Sequence, residues 1–145
     1  MAYTKPLKLL VDVEPESHLW IPTASAAVIE PGMIVKYSAN EVTQIDAATD
    51  DATVIGVANG KSASGETHKI PIISKGIFSA TVVSGTYQYG AGLKYDDSAD
   101  DGSLTADGNA NTIAWAWEYG ATVTSLKIYF DFTLLSGKLW DACSA

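Results

Sequence analysis

Short runs of β-branched and aromatic residues, each ended by Gly, Asn, Asp or Ser, follow one another along most of this 145-residue chain. Helical periodicity is scarce, and turn residues recur roughly every eight to twelve positions, a spacing typical of β-barrels and β-sandwiches. In residues 123–135, apolar Leu126, Ile128, Phe130 and Phe132 alternate with Ser125, Lys127, Tyr129 and Asp131. The sequence therefore predicts an all-β fold, a compact small barrel or sandwich with at most one short helix.

Two local features refine this prediction. Residues 23–28, which follow Pro22, are the one candidate for a short helix. Residues 68–74 have the composition of a strand but contain Pro71, which has no N–H to donate to a β-ladder. Pro71 therefore predicts that this strand lies at the edge of its sheet.

The first 22 residues differ from the rest of the chain. They contain three prolines and many apolar residues, but no Gly turn that would fold them into a hairpin. Because so apolar a segment is costly to leave in water, it is either the first core strand or an arm that docks on a partner. We expect an N-terminal arm over residues 1–22 and a β domain over residues 23–145.

The charge of the chain narrows the range of partners. The formal net charge is −8, from 17 acidic residues against 9 basic ones, and all the basic residues are Lys. Nucleic-acid binding relies on basic clusters, commonly with Arg, so we expect no nucleic-acid partner. The apolar runs are far shorter than a membrane span, and the first residues do not resemble a signal peptide, so we expect synthesis in the cytoplasm and no membrane partner.

The sequence offers little that indicates catalysis or metal binding. His18 and His68 lie on different elements, and Cys143 is the single cysteine. The stretch from Asp96 to Gly102 lacks the ligand spacing of an EF-hand, although a looser cation site or a solvated loop both remain open. Glu118 and Asp131 are the acids that lie between aromatic residues. We expect no enzyme activity, no metal and no cofactor.

Trp115 and Trp117 are two residues apart, so on one strand they would share a face. That face is either a core layer or subunit interface, or an exposed surface on which sugar rings stack. The second possibility keeps a β-sandwich binding module, carbohydrate-binding or fibre-associated, as an alternative function.

The order of these strand and turn segments resembles a known family. The segments run from Ala27–Val35 through Val54–Ala58, Ile70–Phe78 and Tyr89–Tyr95 to Ala114–Glu118. Over residues 25–135 this order resembles the decoration (head cement) proteins of tailed phages, whose compact β domain is called a β-tulip. Another structural virion subunit, such as a tail-tube or head-completion protein, is the further alternative.

The resemblance implies a structural virion protein on the outer surface of the mature head. There it would cement adjacent subunits of the major capsid protein, as a homotrimer. It also implies that residues 3–21 contact the capsid, with Leu7, Leu9, Val11, Trp20 and Ile21 as apolar contacts. Removing residues 1–22 is then expected to abolish capsid binding and leave the β fold intact.

Overall fold

The computed structural model describes residues 3–13, 19–25, 27–108 and 110–131. Their regular structure consists of β-strands and one short 3₁₀ helix, Ala48–Thr53. In chain order the strands are β1 (Lys8–Asp12), β2 (Leu19–Pro22), β3 (Ile34–Ser38), β4 (Glu41–Gln44), β5 (Val54–Ala58), β6 (Lys69–Ile73), β7 (Lys75–Tyr87), β8 (Gly92–Tyr95), β9 (Leu104–Ala106), β10 (Ala114–Ala116) and β11 (Gly120–Asp131). The prediction of an all-β fold with at most one short helix is confirmed.

Five of these strands form a closed barrel. They follow one another around it in the order β7, β11, β10, β8 and β9, and β9 returns to β7 through the parallel pair of Leu104 with Val82. β1 adds to the barrel from outside by pairing antiparallel with β7. Closure satisfies the backbone of the ring and leaves β1 as the added outer strand.

The other five strands form a second sheet in the order β2, β6, β5, β3 and β4. This sheet curls strongly, because Thr23, directly after β2, forms a parallel β-bridge with Val42 on β4 at the opposite end of the strand order. The Thr23 hydroxyl also lies 2.8 Å from that of Ser62, and both side chains are buried. The chain thus forms a barrel and a second, nearly closed sheet.

Two apolar clusters lie against the two faces of the second sheet. On β5, Val57 belongs to the large cluster that fills the barrel and its junction with the sheet. Ile55, two residues earlier, belongs to a smaller cluster inside the curl of the sheet. Alternation alone would put these two residues on one face, but the register of β3 with β5 shifts here, from Gly56 opposite Val35 to Val54 opposite Lys36, and leaves Ile55 as an extra residue that faces the other way. Both faces of β5 are therefore buried, and the strand is apolar throughout.

The alternation predicted for the last strand is present in β11. Leu126, Ile128 and Phe130 are buried in the barrel, whereas Lys127 is exposed. Asp131 departs from the pattern, since it is buried and its carboxylate accepts a hydrogen bond from the Tyr129 hydroxyl. Phe132 lies outside the described residues.

The prediction of a helix at residues 23–28 is wrong. The backbone N–H of Thr23 donates to His68 O, and that of Ala24 donates to Val42 O, so both are engaged in sheet-type bonds between strands. Tertiary pairing has overridden a weak local preference. The 3₁₀ helix lies instead at Ala48–Thr53.

The prediction that Pro71 marks a sheet edge is also wrong, because β6 lies between β2 and β5. The Pro71 carbonyl accepts a hydrogen bond from the N–H of Asn59, the first residue after β5. In an antiparallel pair the N and O of one residue face the same neighbour, so the missing N–H of Pro71 faces the point where β5 has already ended. An internal strand can therefore hold this proline without losing a ladder bond.

Candidate interaction surfaces

The residues that the sequence predicted as capsid contacts occupy three different environments. Leu7 is 4% exposed and belongs to the large core cluster. Its N–H donates to Gly32 O over 2.8 Å, which fastens the chain to the turn before β3. Leu7 therefore contributes to the core, and its side chain is not part of the exposed surface.

Leu9 and Val11 lie on β1 and are exposed by 37% and 50%. Leu9 lines a small cleft between the barrel and the second sheet, together with Pro31 and Asn59. Val11 pairs with Ile77 on β7, after a bulge between Leu9 and Val11 shifts the register. Since paired residues point to the same side of a sheet, Val11 lies with Ile77 on the outer face of the barrel.

Trp20 and Ile21 lie on β2 in the second sheet. Trp20 is 63% exposed and pairs with Pro71, whereas Ile21 is partly buried against the smaller apolar cluster. β1 and β2 thus belong to different sheets, and both are paired within this chain. The assignment of the five residues to a capsid contact, and the division at residue 22, stay predictions.

An aromatic cluster lies on the outside of the barrel where β10 ends. The ring centroid of Trp117 lies 5.2 Å from that of Tyr89 and 4.8 Å from that of Tyr129, with planes inclined by 38° and 35°. Tyr89 is 62% exposed and Trp117 is 37% exposed. Trp115 is partly buried against the core cluster, so the two tryptophans differ in environment although both are on the outer side.

Backbone hydrogen bonds hold this aromatic cluster in place. The N–H of Gly90, beside Tyr89, donates to Ala116 O over 2.8 Å, and the N–H of Trp117 donates to Lys127 O over 2.8 Å. Gly90 adopts φ +85°, a left-handed conformation that suits glycine in this turn. Rigid aromatic groups lose little conformational entropy on binding, so the cluster is preorganised as a contact surface.

The acids that the sequence placed between aromatic residues have structural partners. Glu118 is exposed, and its Oε1 accepts a hydrogen bond from the Lys127 N–H over 2.8 Å. Asp131 is buried beside the Tyr129 hydroxyl. The Glu118 carboxylate therefore ties the end of β10 to β11, whereas the bond between Tyr129 and Asp131 lies within β11.

The carboxylates of the acidic loop after β8 bond this loop to neighbouring segments of the chain. Asp97 accepts a hydrogen bond from the N–H of Ala48 over 3.0 Å, Asp100 accepts one from the Tyr95 hydroxyl over 2.8 Å, and Asp101 forms an ion pair with Lys5 at 3.0 Å. Within the part of the chain that the structure describes, no three His, Cys, Asp or Glu side chains form a group able to hold a metal. His18 and Cys143 lie outside that part.

An open depression lies beside the β3–β4 hairpin and is lined by polar side chains, among them Lys36. The Lys36 ammonium lies 2.9 Å from Asp50 and 3.0 Å from Asp46. Partial burial alone would lower the pKa of Lys36, but the two carboxylates outweigh it and raise that pKa. Burial would likewise raise the pKa of Asp50, but the hydrogen bonds from Lys36 and Asp46, together with the charge of Lys36, outweigh it and lower that pKa. The cation is thus held in an ion-pair network.

Comparison with solved structures finds a likeness of fold. The crystal structure of the head fibre gp8.5 N base of bacteriophage phi29 matches with a TM-score of 0.53, over 79% of this chain and 95% of that chain, at 11% sequence identity. At this identity the likeness establishes a shared fold. No family model matches the sequence, and no curated protein does.

The sequence analysis did not identify Tyr89 and Tyr129 as parts of the aromatic cluster. Tyr89 lies in a turn, and its contact with Trp117 joins segments that are distant in the chain, so neither strand periodicity nor spacing indicated it.

Among the described residues, no helix is long and apolar enough to span a bilayer.

Proposed function

We propose that this chain is a structural protein of a tailed-phage head, which binds the outer surface of the mature head and stabilises adjacent major capsid subunits. The observation that carries the proposal is the fold shared with the phi29 head fibre base, which extends over 95% of that chain. The sequence resemblance to decoration proteins supports the same assignment. The proposed role needs no cofactor, metal or catalytic residue.

The physical basis of such a role is selective binding to one state of the shell. A subunit that binds the expanded shell more tightly than the immature one stabilises the expanded state by the difference in binding free energy. Many copies of a modest contact then add up across the shell. Simultaneous contacts from a homotrimer, the oligomer that the resemblance implies, would strengthen each attachment further.

The test uses heads of the encoding phage assembled without this protein. We expect the purified protein to cosediment saturably with expanded heads and not with immature ones. We also expect decorated heads to withstand higher temperature before they release DNA. Equal binding to both head forms, or no binding at all, would contradict the proposal.

Binding without a gain in shell stability would favour a different virion role, the base of a head fibre. This alternative role is that of the structural neighbour, the head fibre base of phi29. The two roles differ in one measurement, because a fibre base needs attachment only, whereas a cementing protein must raise the temperature at which the shell fails.

The aromatic cluster of Tyr89, Trp117 and Tyr129 favours one other candidate, a carbohydrate-binding module. Exposed aromatic rings held in fixed positions are suited to stacking against flat apolar faces. Titration with soluble oligosaccharides, followed by tryptophan fluorescence, tests this candidate. A saturable shift that is lost in Trp117→Ala and kept in Trp20→Ala would establish it.

A further inference from the structure

One row of apolar side chains crosses the outer face of the barrel. The strand registers align Val11 on β1 with Ile77 on β7, Ile77 with Tyr129 on β11, and Tyr129 with Trp115 on β10. Residues paired in this way point to the same side, so the four side chains form a continuous row over four strands. The ring contact between Tyr129 and Trp117 extends the row to the aromatic cluster.

The adjacent row on the same face carries positive charge. Lys8 on β1 pairs with Ser79 on β7, and Ser79 pairs with Lys127 on β11. Both lysines are exposed, and neither forms an ion pair with another described residue. The nearby Glu118 carboxylate accepts the backbone N–H of Lys127 and lies at the border of the face.

Three lysines elsewhere, Lys5, Lys36 and Lys61, lie against carboxylates, whereas Lys69 on β6 and Lys94 on β8 form no ion pair with another described residue. Lys36 pairs with Asp46 and Asp50, and Lys5 pairs with Asp101. The acidic loop after β8 joins this region through the bond from Ala48 to Asp97. In a chain of net charge −8, the outer barrel face is thus a place where apolar groups lie beside two lysines that form no ion pair within the described part of the chain.

From this arrangement we infer that the outer barrel face docks onto a protein surface on which an apolar patch is bordered by carboxylates. This inference rests on the proposed function, and it identifies that surface as the exterior of the shell. Stable interfaces combine an apolar centre with a polar rim, and opposite charges at the rim speed encounter and select the partner. A second copy of this face is a poorer partner, because it presents the same two lysines in place of bordering carboxylates.

The inference is tested by charge reversal at matched positions. Lys8→Glu and Lys127→Glu place acids on the docking face, and Lys69→Glu makes the same change in net charge at an exposed position on β6. We expect each of the first two variants to weaken binding to expanded heads about tenfold, and Lys69→Glu to change it less than about twofold. Circular dichroism of each variant checks that the fold is retained.

A second pair of variants tests the apolar row. Val11→Asp lies in the row, whereas Val28→Asp changes a residue of similar exposure, 47%, in a loop before β3. We expect a loss of binding for the first variant and near wild-type binding for the second. Wild-type protein that fails to bind heads would refute the proposed function itself.

Two other outcomes would overturn the inference alone. One is that the wild-type protein binds heads and that the Lys8→Glu, Lys127→Glu and Lys69→Glu variants bind them with equal affinity. The other is saturable binding of free oligosaccharides that requires Trp117 and competes with head binding, which would make this face a carbohydrate site.

Discussion

The ring of Tyr3 stacks on the ring of Tyr95, with centroids 6.4 Å apart and planes inclined by 28°. The Tyr3 hydroxyl also accepts a hydrogen bond from the N–H of Ile34 over 3.1 Å. One side chain near the start of the chain thus contacts both a barrel strand and the second sheet. With Leu7 in the core, this contact gives residues 3–7 a structural role.

The first prediction concerns Leu7 and its exposed neighbour on β1. Leu7→Ala removes a buried side chain and leaves a cavity, so we expect the free energy of unfolding to fall by about 2–5 kcal/mol. Leu9→Ala, at a position 37% exposed, should cost less than about 1.5 kcal/mol. Urea denaturation measures both. Equal losses would contradict the core position of Leu7.

Deletion of residues 1–22 is also expected to affect the stability of the fold, and not only capsid binding. Because β1 pairs with β7 and β2 pairs with β6, deletion of residues 1–22 removes a strand from each sheet as well as Leu7. We now expect this deletion to lower the stability of the fold markedly. A truncated protein with an unchanged thermal midpoint would show that residues 1–22 are a dispensable arm.

The second prediction concerns two glycines that share a left-handed backbone but differ in surroundings. Gly102 has φ +102°, and a Cβ there would lie 2.4 Å from the Tyr3 ring and 2.6 Å from Lys5 O. Gly90 has φ +85° and open space around it. We expect Gly90→Ala to cost about 1 kcal/mol of conformational strain. Gly102→Ala should cost about 2–4 kcal/mol, since the clash adds to the strain.

Thermal unfolding of both glycine variants measures the difference. Its control is the fluorescence of the Tyr3–Tyr95 region, which should change in Gly102→Ala and stay as in the wild type in Gly90→Ala. Equal destabilisation of the two variants would show that residues 3–5 do not pack against Gly102 in solution.

The third prediction concerns alkaline pH. Burial raises the pKa of both Tyr3 and Tyr95 above the ordinary value of 10.0. The folded state keeps these phenols protonated while the unfolded chain releases the protons near pH 10. Their contribution to stability is therefore fully present below that pH and is lost as the pH rises towards the folded-state pKa values.

Unfolding by urea at a series of pH values from about 8 to 11.5 measures this loss of stability. In the double variant Tyr3→Phe and Tyr95→Phe, stability should decline less steeply above pH 10, although its value at pH 8 should be lower because hydrogen bonds are removed. Parallel curves for the two proteins would contradict the assignment.

The fourth prediction concerns Lys36. Its side chain is 22% exposed and that of Asp50 is 21% exposed, so Lys36→Met leaves the largely buried Asp50 carboxylate without its cation, beside the 62% exposed side chain of Asp46. We expect a loss of about 1–2 kcal/mol at pH 7. The matched control is Lys61→Met. The Lys61 side chain is 76% exposed and its ammonium lies 3.8 Å from Glu30, so this change should alter stability by less than about 0.5 kcal/mol.

The pH dependence of the Lys36 effect has a definite sign. The pKa of Asp50 is lowered from 3.8, so its contribution is present above that pH and is lost as the pH falls through the folded-state value. The pKa of Lys36 is raised from 10.5, so its contribution is present below that pH and is lost as the pH rises through the raised value. The difference between wild type and Lys36→Met should therefore vanish in strong acid.

Strand identity was predictable from the sequence, whereas the pairing of strands was not. The alternation of Leu126, Ile128 and Phe130 specified a buried face, and this face is buried in the structure. No local pattern indicates that Val82 pairs with Leu104 to close the barrel, because that pair joins distant segments. The prediction of an edge strand from Pro71 failed for the same reason, since the effect of its missing N–H depends on which part of the neighbouring strand it faces.

The candidate site shows the same division between local and long-range information. The sequence predicted Leu7, Val11 and Trp20 alike as apolar contacts for a partner. Val11 and Trp20 are exposed, but Leu7 is buried. The aromatic cluster depends on a turn residue, Tyr89, meeting the end of β10. Such meetings are determined by topology, and a single sequence with weak resemblance to known folds does not specify them.

The sharing of β5 between two apolar clusters has a mechanical consequence. Val57 belongs to the cluster that the sheet shares with the barrel, so any rotation of the second sheet away from the barrel would expose the apolar side chains of that junction, whereas the cluster around Ile55 holds the sheet itself in its curled shape. The barrel and the sheet are therefore held at a set spacing. In the proposed role, such a connection would transmit load across the protein without absorbing it by bending.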